Sequence, residues 1–148
     1  AKGWLTPPQR AALDLGGLAA FFADDLGRRI RARAADVERE VPFTFRLDAA
    51  DAARLRSGEA VGAGDESQVV QGIADLVVRM PDAVWLVDFK TNDVTPAEVP
   101  RRAGEHRAQV GLYALALERI HGRPVTERWV WFLRARQGAP LEPGGGGG

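Results

Sequence analysis

The chain has 148 residues, 45% of them hydrophobic, which suits one globular domain. It has no cysteine, which excludes disulfides, thiolate metal sites and iron–sulfur clusters, and no apolar run approaches the roughly 18 residues of a membrane span. Twenty basic residues balance twenty acidic ones, so net charge favours no class of partner, and the expectation is a cytoplasmic protein without signal peptide or membrane association.

In chain order, "TPPQRAALDLGGLAAFFADDLGRRIRARAA" opens with prolines. It then spaces Leu13, Leu18, Phe21, Phe22, Leu26 and Ile30 as a helix does. Gly16-Gly17 is the expected break between two helices. "VEREVPFTFRL" alternates Val41, Phe43 and Phe45 as a strand, and Pro42 places that strand at an edge or bulge. Residues 49–67 lose periodicity after one possible helical turn and are read as an exposed loop.

Two strands follow, 68–79 and 84–91. "NDVTPAEVP" reads as a loop, and residues 101–122 as one helix ended by Gly122 and Pro124. "ERWVWFLRA" is a last strand. Residues 1–143 form the expected single domain, and 144–148, all glycine, a flexible tail. Helix, strand, hairpin, helix and strand together predict a mixed α/β domain with a small central sheet.

The hairpin "QGIADLVVRMPDAVWLVDFKT" carries Asp75, Asp88 and Lys90 in otherwise apolar strands. A turn centred at Pro81-Asp82 sets Asp75 opposite Asp88, with Cβ atoms about 4.5–5.5 Å apart. The period of two aims Asp88 and Lys90 the same way. A solvated pair is the plainer account of any one such residue. Three on one face, flanked by "VWLV" and "IADLVV", point instead to buried charge that needs a counter-ion. Paired carboxylates repel unless a cation relieves them; Lys90 could supply that charge, a divalent metal would do so better, and all-oxygen ligation suits Mg²⁺ or Mn²⁺ rather than zinc.

Lys90 is one of two lysines among many arginines, the other being Lys2 near the N-terminus. A compact ammonium fits beside a water or phosphate where a guanidinium fork does not. On the following helix, His106, Gln109 and the sole tyrosine, Tyr113, fall on one face at i, i+3 and i+7. Alone, Gln109 reads as surface and Tyr113 as core; beside the hairpin they read as a polar face over a site. His121 reads as a helix-end or surface residue, and Trp85, Trp129 and Trp131 as packing residues. From Arg101 onward eight arginines face four glutamates, a basic third that could hold phosphate but is more commonly a solvated, arginine-rich surface.

Taken together, "VVQGIADLVV", "WLVDFKT" and "HRAQVGLYALAL" resemble the C-terminal nuclease domain of RecB/AddA-type helicase–nucleases, in the PD-(D/E)XK superfamily. The likeness runs from about Phe21 to Leu133. "EREVPF", with Glu40, resembles the family's strand ahead of the active hairpin, and Glu40 itself is read as structural rather than as a ligand. The resemblance implies a restriction-endonuclease-like core. It also implies a Mg²⁺ site (Mn²⁺ substituting) formed by Asp75, Asp88 and the Phe89 backbone carbonyl. The catalytic residues it implies are Asp75, Asp88, Lys90, Gln109 and Tyr113. The partners it implies are DNA, the helicase region of the same parent polypeptide and a second subunit.

Two departures stand out. The family's metal-binding histidine on an upstream helix has no counterpart in His106 or His121, so the chain is expected to be cut from a larger protein after that helix. His106 stands where the family often has tyrosine. The expected function is Mg²⁺-dependent hydrolysis of DNA in double-strand break repair. The alternative is a catalytically inactive DNA-binding or docking module of the same fold.

Overall fold

The computed structural model describes residues 15–56 and 67–142. Helices α1 (Leu15–Ala23) and α2 (Asp25–Arg31) precede β1 (Val37–Leu47) and α3 (Ala49–Arg56). Strands β2 (Gln68–Arg79) and β3 (Val84–Lys90) form the hairpin. Helices α4 (Val99–Gly104) and α5 (Arg107–His121) then cross to β4 (Val125–Phe132), which turns into β5 (Gln137–Pro140). The five strands lie side by side in sequence order. Every pairing is antiparallel except β3 with β4, which is parallel because α4 and α5 intervene.

Each face of the sheet buries one apolar layer. Leu76, Val78, Trp85, Val87 and Trp131 pack under α1 and α2 with Phe21, Leu26 and Ile30. Ala74, Val77, Val84, Leu86, Val130 and Phe132 pack under α4 and α5 with Val99, Val110, Ala114 and Leu117. Burial on both faces explains why β3 is an unbroken apolar run up to Asp88. Phe43, Phe45 and Leu47 extend the α5 side beneath Leu115 and Ala116.

Both hairpin strands form over their expected residues, β3 ending one residue early at Lys90. β1 is the edge strand that Pro42 requires. Four expectations change. The first helical break is not at Gly16-Gly17, which lie inside α1, but at Asp24, whose carboxylate caps α2 by accepting the Leu26 amide at 3.1 Å. Gly27 permits that tight return, since a Cβ there would lie 1.8 Å from the Phe21 carbonyl oxygen.

The helical turn expected after residue 48 runs for two turns as α3. It buries Asp51 completely in an ion pair with Arg119 of α5. The rest of that expected loop, residues 57–66, lies outside the described residues, as do Lys2 and the glycine tail. The long helix expected over 101–122 is two, α4 and α5, parted at Glu105-His106. α4 itself starts inside the expected loop, after a short 3₁₀ turn in which the Glu98 carboxylate accepts the Thr95 amide (2.9 Å) and hydroxyl (2.8 Å). Finally β5 adds an edge strand that its residues, Gln-Gly-Ala-Pro, do not announce. Gly122 ends α5 in the left-handed conformation as expected, with φ 64°.

Candidate active site

The β2–β3 ladder holds from Arg79↔Val84 to Leu76↔Val87 and stops one pair short of Asp75 and Asp88. Beyond that point β2 continues with β1 alone, down to Gln68, while β3 continues with β4 to Lys90↔Phe132. The sheet forks there, and the charged residues lie in the fork. Asp75 spans it, its Oδ2 accepting the Phe89 amide at 2.8 Å in place of a ladder partner.

Asp88 is only 6% exposed. Its Oδ2 lies 3.0 Å from Lys90 Nζ, an ion pair by distance, yet no donor meets that buried oxygen at hydrogen-bond geometry. The Lys90 ammonium is turned to Gln109 on α5, donating to Oε1 at 3.2 Å. Gln109 Nε2 in turn donates to the Tyr113 hydroxyl at 3.5 Å, a long contact. The period-two and helical spacings thus bring Asp75, Asp88, Lys90, Gln109 and Tyr113 into one chain of contacts.

Burial raises the Asp75 carboxyl above the ordinary aspartate range; the negative charge of Asp88 adds to this, and the Phe89 amide and Lys90 only partly offset it. The hairpin therefore holds more negative character than its one ammonium relieves. Oxygen donors crowded in this way suit a hard divalent cation. Among the described residues, no third histidine, aspartate or glutamate joins the pair as a ready cation cage. A backbone carbonyl, as expected of Phe89, is the kind of oxygen donor that completes such a set.

His106 stands at the N-cap of α5, one turn before Gln109, with its ring 6.3 Å from that of Phe132. Burial, then the charge of Lys90, holds its imidazole below the usual histidine range. His121 lies at the other end of α5, with Nδ1 3.5 Å from Arg79, and takes no part. Trp85 and Trp131 pack in the opposite layer, as expected, with Trp129 partly buried against them.

Gly72, which lies in the "QGIAD" stretch, contributes in a way the motif did not specify. A Cβ there would lie 2.6 Å from Phe43 Cζ and 3.1 Å from Tyr113 Cζ, so the bare backbone seats the edge-on Phe43–Tyr113 pair, whose centroids are 4.8 Å apart. An internal strand glycine is the signal for such close approach. Tyr113 thereby locks α5 onto β1 and β2, which fixes where Gln109 meets Lys90.

A family model described as the PD-(D/E)XK nuclease superfamily matches residues 5–143. The mixed sheet with helices on both faces is the restriction-endonuclease-like core expected of that family. The chain is 39% identical over 129 residues to an ATP-dependent helicase/nuclease component from Moorella thermoacetica, a match covering 87% of this chain and 9% of that protein. Proteins of the same name from Desulforamulus reducens and Bacillus anthracis are 35% and 36% identical over 92% and 89% of this chain, and the match covers 10% and 11% of those proteins. The chain thus spans about a tenth of the length of the relatives it matches.

Proposed function

The chain belongs to the PD-(D/E)XK nuclease superfamily, and from that premise we propose that it hydrolyses DNA phosphodiesters with a divalent cation, Mg²⁺ first and Mn²⁺ in its place. It would serve as the nuclease part of a helicase–nuclease in double-strand break repair and recombination, in the cytoplasm. Its partners would be DNA, the helicase region of the same parent polypeptide and a second subunit. The names of the relatives support the helicase–nuclease setting. No helix among the described residues is long and apolar enough to cross a membrane.

The observation that carries the proposal is the buried Asp88 oxygen without an aligned donor, next to an Asp75 whose charge is already disfavoured. Asp75, Asp88 and the Phe89 carbonyl would hold the cation. When bound, it supplies positive charge to a phosphate oxygen and makes a bound water more acidic.

The chain's own side chains do the rest. Lys90, held between Asp88 and Gln109, keeps an ammonium facing the fork. There it orients the attacking water and stabilises the charge that builds on the phosphoryl oxygens. Gln109 fixes the direction of that ammonium and positions water or phosphate with its amide. Tyr113 holds the helix that carries Gln109. Phosphate contacts of this kind read no base, so cleavage would be independent of sequence.

The second reading, a DNA-binding or docking module without catalysis, is favoured by the lack of a third acidic or imidazole ligand among the described residues. Incubation of linear single- and double-stranded DNA with Mg²⁺ or Mn²⁺, beside an Asp88→Ala variant, separates the two. The expected result is metal-dependent degradation that the variant loses. DNA binding without degradation or Mn²⁺ binding would establish the second reading.

A further inference from the structure

An eleven-residue strand paired with β2 at both ends should keep extended backbone throughout, yet Glu40, within β1, has φ 50°. Only one other described non-glycine residue, Arg136 in the β4–β5 turn, has positive φ. Glutamate gains nothing by itself from a left-handed conformation, so the surrounding structure must impose it. Glu40 falls opposite Asp75. The β1–β2 ladder pairs Arg39 with Leu76 and Val41 with Ala74 and skips the position between.

The pleat inverts at this point in both strands. Val37 packs in the layer of Leu76 and Val78, under α1 and α2. Val41 packs in the layer of Ala74, under α5. Residues 37 and 41 are four apart and should share a face, as should 74 and 76. One irregular residue in each strand at the same level turns both strands over together, which is why the register is unchanged on either side. Asp75 is the turning residue of β2, and it is where β2 leaves β3.

We propose that Glu40 is a positioning residue for Asp75. Its left-handed backbone opens the ladder opposite Asp75 and lets the carboxylate swing out of the pleat to the Phe89 amide and toward Asp88. The Glu40 side chain is exposed, so the constraint acts through the backbone. This deepens the cation reading of Asp75 and Asp88 and rests on it.

The test compares Glu40→Gly, which accepts positive φ, with Glu40→Val, which resists it. Two quantities are read on folded protein, as checked by circular dichroism: hydrogen-exchange protection of the Phe89 amide without metal, and Mn²⁺ affinity by calorimetry. The glycine variant should match the wild type in both. The valine variant should lose Phe89 protection and bind Mn²⁺ at least about tenfold more weakly. Phe89 protection unchanged in the valine variant overturns the proposal, as does a glycine variant that loses protection like valine. Wild-type protein that binds no Mn²⁺, with the exchange pattern as expected, would defeat the cation reading and leave the positioning role standing. A valine variant that fails to fold moves the comparison to Glu40→Thr, on which the same two outcomes decide.

Discussion

The central strands β3 and β4 carry a charged cluster on each face of the sheet. Under α2, Glu127 of β4 accepts both terminal nitrogens of Arg29, one at 3.0 Å, and the Trp129 indole N–H at 3.2 Å. The same guanidinium lies 4.6 Å from the centroid of the Trp85 ring, with Arg33 at 5.4 Å. Both Glu127 oxygens meet an aligned donor, and the work of the cluster is to pin α2 to the sheet. Under α5 the hairpin cluster stays open: one buried Asp88 oxygen has no aligned donor and Asp75 resists ionisation. The two clusters thus differ in whether the protein itself completes them. The incomplete cluster is the one with a use for something from outside.

The contrast breaks or holds on three variants. Lys90→Ala should slow DNA hydrolysis by on the order of 10²–10³-fold, read as initial rates on linear DNA, with a far smaller effect on the melting temperature. A loss of folding that accounts for the loss of rate would move Lys90 into the class of Arg29. Glu127→Ala should do the reverse. It removes the shared acceptor of a partly exposed pair, at a cost of about 1 kcal/mol, seen as a fall of a few degrees in melting temperature. Mn²⁺ affinity should not move, and a change in it would mean that the two faces are coupled.

The smallest effect is in the pH dependence. In the folded protein Asp75 holds its proton to higher pH than the ordinary value of 3.8. Folding therefore takes up protons between the unfolded and folded values, and stability falls as pH rises through that window. Metal-free Asp75→Asn should show a shallower fall and melt slightly higher than wild type near neutrality, in thermal scans with a chelator. A steeper fall would mean that the Asp75 charge is better satisfied than its surroundings indicate.

Much of this was legible in the residues. The hairpin register followed from a turn centred at Pro81-Asp82, since the two apolar runs are buried on both faces and do not by themselves fix it. That Gln109 and Tyr113 face the hairpin followed from helical spacing and resemblance together, whereas the Lys90–Gln109 contact itself did not. Other features left no trace in local pattern. Val37, Val41, Phe43 and Phe45 all occupy odd positions, so the alternation runs smoothly through the inversion at Glu40 and conceals it. The break before Arg107 does carry a local signal, Gly104 at the end of α4, which the expectation of one long helix passed over. β5 owes its existence to pairing with Trp129–Phe132, where Gly138 admits the Trp131 ring, rather than to β-forming residues of its own.

The order of the strands has a consequence for how the chain reaches this state. β1, β2 and β3 are neighbours in both sequence and space, so the meander that brings Asp75 and Asp88 together closes through local contacts. The pairing of β3 with β4 must wait until the whole stretch from Thr91 to Pro124 has folded back across the sheet. Gln109 lies on that late segment. In refolding from denaturant, the acidic pair is therefore expected to assemble before the lysine is clamped, so the proposed cation binding should return before the proposed cleavage.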